Sequence, residues 1–202
     1  LCIMIKPGKT VKDIKISNES TMHDIFNELG QSGGFESRNV ADGVEILTDM
    51  IQDENCLKFL SFIGAIVSTG FRGILRDMVK KKWCDVVITT CGALDHDIAR
   101  HFAEYKEGSF TMDDKELADQ SIHRLGNVLV PMENYGPLIE EKVQNILEQA
   151  YNAGKKEFST ADINRELGKS MGKDSFLYWA YKNNISVIVP GIMDGAVGSQ
   201  VW

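Results

Sequence analysis

The chain has 202 residues, 43% of them hydrophobic and 25% charged, with a formal net charge of −7. That is enough for one α/β domain with a sizeable core and too little for two independent ones, and the acidic balance excludes nucleic acid as the main partner, because phosphate binding needs a basic face. No apolar run approaches the ~18 residues of a membrane helix and no signal peptide is read; with Cys2, Cys56, Cys84 and Cys91 forming no CxxC pair, the expectation is a cytoplasmic protein with reduced thiols, no zinc and no membrane partner.

In chain order, residues 1–30 form an N-terminal arm and helix. Val11 to Ile16 is a short strand or an extended arm, and Thr21 to Leu29 is an amphipathic helix capped by Ser20 or Thr21. Gln31-Ser32-Gly33-Gly34 is a turn. Val40, Val44, Leu47, Met50 and Ile51 then recur at helical spacing over Asn39 to Ile51. LKFLSFI (Leu57 to Ile63) has strand length. Ser68 to Lys82 is helical, with Ile74, Leu75, Met78 and Val79 on one side and Arg72, Arg76, Lys80 and Lys81 on the other.

Val86 to Thr89 is the second strand and Leu94 to Tyr105 a helix. Val128 to Val130, bounded by Gly126 and Pro131, is a third strand. Helices follow over Pro137 to Tyr151, Thr160 to Leu167 (opened by Ser159 or Thr160) and Ser175 to Lys182. Val187 to Val189 is the fourth strand. Apolar strands alternating with helices predict one domain over 1–202, built on a mostly parallel sheet with helices on both faces. The chain opens on Leu1 and stops at Trp202, just after a glycine-rich turn, and both ends are expected to be cuts in a longer protein.

Ligands of such sheets bind beyond the carboxyl ends of the strands, so those ends are where function is sought. After the first comes GAIVSTG (Gly64 to Gly70). Its helix start offers free N–H groups to a phosphate, with Ser68 and Thr69 either adding hydroxyls or simply capping the helix. After the second comes TTCGALDHD (Thr89 to Asp97). Gly92 lets a ligand approach the backbone, and Asp95 and Asp97 are expected in the first helical turn, where acids also suit the helix dipole. Asp95 suits an amine; His96 suits a ribose or diphosphate, or is merely an exposed histidine. After the fourth comes PGIMDGAVGSQ (Pro190 to Gln200), a tight loop in which Asp194 meets ribose hydroxyls or a cation, or belongs to an ordinary Asp-Gly turn.

Neither GxGxxG after a strand nor GxxxxGK[ST] occurs. Gly168-Lys169 and Gly172-Lys173 read as helix stop signals. Cys91 near His96 or His101 is the one conceivable nucleophile pair. No carboxylate–histidine spacing suits a metal.

In order, SGGFESRNVADGVEIL (Ser32 to Leu47), STGFRGILRDMVKKKWCDVVITTCGALDHD (Ser68 to Asp97), RLGNVLVPMENY (Arg124 to Tyr135) and DSFLYWAYKNNISVIVPGIMDGAVGSQ (Asp174 to Gln200) resemble deoxyhypusine synthase over nearly the whole chain. The resemblance implies a doubly wound, Rossmann-like NAD-binding fold and a homotetramer with active sites between subunits. It also implies a reaction. NAD oxidises spermidine, the aminobutyl group passes to an enzyme lysine and then to a lysine of a translation factor precursor, and NADH reduces the imine. Carried over by residue, one NAD loop falls on Gly64, Ala65, Ile66, Val67 and Ser68, a second on Thr90, Cys91 and Gly92, and the strand-end aspartate on Asp194. The acidic pair that serves polyamine and cofactor falls on Asp95 and His96, and the second polyamine carboxylate on Ser199.

Gly64-Ala65 replaces the Ser-Asn of the eukaryotic pattern, His96 a glutamate and Ser199 an aspartate, as in the archaeal branch. These changes remove negative charge from the amine pocket. They leave open agmatine as the polyamine, or an acceptor as in homospermidine synthase. The family's catalytic lysine, the Trp-Gly before it and its active-site histidine match positions beyond Trp202. A non-catalytic paralogue or truncated subunit that pairs with an active one is therefore the alternative to the enzyme.

Overall fold

The computed structural model of the chain describes residues 8–201; Leu1, Cys2 and Trp202 lie outside the described residues. The chain divides into two compact units between Cys56 and Leu57.

The first unit is a helical hairpin with an extended arm. Helix α1 (Met22–Ser32) opens on a capping box: the Asp24 N–H donates to the Thr21 hydroxyl while the Asp24 carboxylate accepts from the Thr21 N–H. This satisfies two of the donors that a helix start leaves free. Gly33 ends the helix in the left-handed region at φ 64°. Helix α2 (Phe35–Gln52) starts one turn earlier than apolar spacing predicted. Residues 11–16 are an arm and not a strand, held where the Lys12 N–H donates to the Gln31 carbonyl and the Lys15 N–H to Glu28 Oε2.

In the second unit, β1 (Phe59–Phe62), β2 (Val86–Thr89) and β6 (Ser186–Ile188) form a parallel sheet in the order β1-β2-β6, with Phe62 opposite Thr89 and Ile88 opposite Ile188. The TTCG segment therefore leaves the central strand. One sheet face supplies Val87 and Val187 to the core. There they meet α3 (Phe71–Lys80), α4 (Cys91–Phe102), α7 (Thr160–Ser170) and α8 (Phe176–Asn183) through Leu75, Leu94, Leu167 and Phe176. On the other face Phe59 and Ile188 are exposed.

The predicted third strand belongs elsewhere. β5 (Val128–Pro131) pairs antiparallel with β4 (Ile122–Leu125) and β3 (Lys106–Glu107), in the order β3-β5-β4. Gly126-Asn127 between β4 and β5 is a two-residue hairpin turn with φ 63° at Gly126, a glycine-dependent signal that the strand–helix alternation concealed. Helix α5 (Asp114–Asp119) precedes this hairpin, capped by the Asp113 carboxylate. Helix α6 (Gly136–Asn152) follows it, with Pro137 in its first turn.

Other boundaries also move. The stretch Gly64–Ser68 is a 3-10 turn and α3 begins only at Phe71, because the Ser68 and Thr69 hydroxyls donate back to the Ala65 and Ile66 carbonyls. Helix α4 starts at Cys91, so Asp95 and Asp97 sit in its second turn and not its first. Gly168 is no stop signal: α7 runs on to Ser170, and Gly168 packs against the Leu177 carbonyl. Residues Ala196–Ser199 form a one-turn helix, α9, in what reads as a plain loop.

Candidate functional site

At the carboxyl end of the sheet the two threonines have structural work. The Thr89 hydroxyl donates to the Phe62 carbonyl at 2.7 Å, reinforcing the last ladder pair of β1 and β2. The Thr90 hydroxyl accepts from the Gly64 N–H at 2.9 Å, so the two strand-end turns are joined. They also touch. A Cβ at Gly64 would stand 2.4 Å from the Ala93 nitrogen and 2.6 Å from the Gly92 carbonyl carbon, so only glycine permits this approach. Arg100, from the far end of α4, donates to the Val67 and Thr69 carbonyls at 2.9 and 2.5 Å and braces the same turn from behind.

The three strand ends differ in what they offer a ligand. Neither the 3-10 turn at Gly64 nor the start of α4 has a side-chain cap. The Gly64 N–H is taken by Thr90 and the Ala93 N–H by the Thr90 carbonyl; the other N–H groups of such uncapped starts are the kind that can bind phosphate. The third end is closed. The Asp95 carboxylate accepts from the Ala196 N–H at 3.0 Å on Oδ2, the Val197 N–H at 2.8 Å on Oδ1 and the Tyr135 hydroxyl at 2.8 Å on Oδ2, with the Cys91 thiol 3.9 Å from Oδ1. Asp95 is 1% exposed. Asp194, one residue before Gly195, is exposed, and its carboxylate makes no hydrogen bond or ion pair among the described residues.

The predicted site residues thus separate by burial. Ala65, Thr90, Asp194 and Ser199 are exposed, Ile66 and Gly92 are half-buried, and Gly64, Val67, Ser68, Cys91, Asp95 and His96 are buried. Ser199 donates its hydroxyl to the Gly195 carbonyl at 3.1 Å. His96 is no exposed histidine: its Nδ1 pairs with the Tyr105 hydroxyl at 3.0 Å, and its ring lies 5.5 Å from that of Tyr135. Burial lowers its pKa against the opposing pull of Asp95, which keeps the imidazole neutral.

Burial, and then the Asp95 charge, push the Cys91 thiol up to about 12, and push the Tyr135 phenol up as well. Tyr135 therefore stays a hydroxyl donor. A thiol so rarely ionised is no nucleophile. Neither histidine reaches it, because His101 pairs with Asp174 at 2.7 Å. The Cys–His pair conceivable in the sequence does not form. Among the described residues no group of three or more His, Cys, Asp or Glu is gathered for a metal ion.

Sequence reasoning missed three contributors. Tyr135 lies inside the quoted NVLVPMENY segment but had no role. Arg100 had none either. Arg72, placed with Arg76, Lys80 and Lys81 on the side opposite the apolar residues, is 7% exposed. Its guanidinium donates to Asp97 Oδ1 at 2.7 Å and to Asp174 Oδ2 at 3.3 Å. These acids, 25 and 102 residues on and outside α3, explain the buried arginine, and helical periodicity does not report them.

The family model "Deoxyhypusine synthase" matches residues 24–202. The chain is 49% identical over 193 residues to a "Probable deoxyhypusine synthase" of Picrophilus torridus, covering 95% of this chain and 61% of that protein. It is 48% identical over 196 residues to the protein of the same name from Thermoplasma volcanium, covering 96% and 63%. The chain thus spans about three fifths of the length of the curated relatives it matches. Among solved structures, a crystal structure from Entamoeba histolytica that carries the deoxyhypusine synthase name superposes with a TM-score of 0.63 at 19% identity, covering 96% of this chain and 65% of that one. The fold is shared at that distance, and the match along residues 24–202 settles the kinship: the chain belongs to the deoxyhypusine synthase family.

Proposed function

We propose that this chain is the dinucleotide-binding part of a deoxyhypusine synthase, which uses NAD to transfer the aminobutyl group of spermidine to a lysine of a translation factor precursor. The observation that carries this reading is the division of labour at the strand ends: two adjacent uncapped turns and, at the third end, the free carboxylate of Asp194. A dinucleotide needs both, backbone N–H groups for its diphosphate and a carboxylate for ribose hydroxyls.

The residues fit that group. Ala65 and Gly92 line the approach with almost no side-chain bulk, and Thr90 is exposed between them. When bound, the cofactor supplies a hydride acceptor. The chain's own residues bind and orient: the turns at Gly64–Ser68 and Thr90–Gly92 take the diphosphate, and Asp194 takes a ribose. Asp95 and His96 form the wall behind the amine pocket, and Ser199 stands at its edge. The catalytic lysine is assigned to the family segment that matches beyond Trp202. The doubly wound form, the homotetramer and a cytoplasmic setting belong to the same proposal.

A second substrate reading has its own support. His96 is buried and neutral, and Ser199 carries no charge, so Asp194 is the exposed acid on this side of the pocket. Fewer acids favour a polyamine with fewer ammonium groups than spermidine, such as agmatine. Calorimetric titration of NAD into the chain and into Asp194→Ala tests the main reading. Measurable binding that Asp194→Ala severely weakens, with the circular dichroism spectrum kept, is expected; equal affinity in both rejects the ribose role.

A further inference from the structure

We propose that Asp95, together with Tyr135, is a positioning clamp that fixes the Gly195–Val197 backbone and thereby aims Asp194, instead of meeting a ligand itself. This rests on the reading of Asp194 as a cofactor ligand. The carboxylate is 1% exposed, and each of its oxygens already accepts a backbone N–H, Oδ2 from Ala196 and Oδ1 from Val197. The Tyr135 hydroxyl adds a second donor to Oδ2. A ligand ammonium would have to displace donors that the fold holds in place.

The held segment is also anchored by the fully buried Val197 side chain and the Gly198 N–H at Cys91, but the N–H groups that open its turn are met by Asp95. Helix α9 spans only Ala196–Ser199, and an isolated turn of that length does not sustain itself. Its first two N–H groups bond to Asp95, across about a hundred residues of chain. Packing makes the seat exact: a Cβ at Gly195 would stand 2.7 Å from the Cys91 sulfur and 2.8 Å from Asp95 Oδ2. Asp194 is the next residue toward β6. Its direction is therefore set by a bond network rooted in α4 and, through Tyr135, in the corner between β5 and α6. This gives the tyrosine of the NVLVPMENY segment a role that neither substrate nor cofactor contact supplies.

The test uses Asp95→Asn, which keeps size but replaces one acceptor oxygen by a donor that opposes a backbone N–H. Hydrogen exchange of the Ala196 and Val197 amides should accelerate by about tenfold or more, as expected for loss of a charge-assisted bond. NAD affinity should fall by a similar factor in the otherwise unchanged chain. In the Asp194→Ala background, with NAD at concentrations high enough to read residual binding, Asp95→Asn should change affinity by less than about twofold, because groups acting through one another are not additive. Unchanged amide exchange overturns the clamp, and so do affinity losses that multiply across the two sites. Should Asp95→Asn not fold, Tyr135→Phe removes one donor and must shift exchange and affinity in the same directions by a smaller factor, or the proposal fails. If the unmodified chain binds no NAD, the functional reading falls, while amide exchange still decides the clamp.

Discussion

Helix α4 carries two buried carboxylates two residues apart, and they hold different parts of the molecule. Asp97, fully buried, faces inward. It accepts from Arg72 on α3, from the Ser175 hydroxyl at 2.7 Å and from the Leu177 N–H at 3.1 Å at the start of α8. Asp174 extends this network to His101. Asp95 faces the sheet end and holds one turn of backbone. The first network joins three helices across the core; the second fastens a loop at the rim. Same residue type and similar burial thus join helices across the core in one place and hold a rim loop in the other, and the difference lies in what the donors belong to.

The comparison can be broken most severely at Asp97. Replacing it with alanine leaves the Arg72 charge buried without its main partner, and should cost about 3–5 kcal/mol in urea unfolding. Asp194→Ala, at an exposed position, should stay within about 0.5 kcal/mol of the unmodified chain in the same experiment. If the two variants unfold alike, the Asp97 network is not the core fastener described here. Gly195→Ala comes next. Its methyl group would press on Cys91 and Asp95, and overpacking of this kind costs about 1–3 kcal/mol; unchanged stability would mean that the rim is looser than its contacts indicate.

Smaller effects sharpen the contrast. Thr21→Ala removes the cap of α1 in the first unit and should cost about 1 kcal/mol, read as a loss of amide protection over residues 22–25. His96 gives the smallest and most specific signal. Its folded pKa lies below the unfolded value of about 6.5. Its contribution is therefore complete above that value and is lost as pH falls through the folded pKa, because the unfolded chain binds the extra proton. The facing groups are Asp95, Arg100, Tyr105 and Tyr135. The slope of stability against pH just below 6.5 should flatten in His96→Gln; an identical slope would place that titration elsewhere.

Much of this architecture was legible in the residues. Strands β1, β2 and β6 read correctly as short apolar runs, and α6 and α7 as periodic helices with Pro137 and Ser159 at their starts. Apolar spacing is a local signal and survives folding unchanged. What failed depended on partners. Val128–Pro131 looked like another parallel strand because strand sequence does not encode the neighbour, and the Gly126-Asn127 turn was the only pointer. Arg72 read only as part of the basic side of α3 because its acid lies 25 residues on, in another helix. At the site, the position of Asp95 at a strand end was readable, but the donors that occupy it come from Tyr135 and residues 196–197, 40 to 102 residues away. A carboxylate offered to a ligand and one consumed by the fold have the same sequence.

The most direct test of the strand-end site is an amide-resolved NMR titration of the isotope-labelled chain with NAD. The expected result is a saturable set of shifts confined to residues 64–68, 90–92 and 194–197, moved to much higher NAD concentration in Asp194→Ala. Shifts clustered instead at the cleft between α6 and α7 lined by Leu147, Tyr151, Phe158 and Ile163, or no shifts at millimolar NAD, would contradict it.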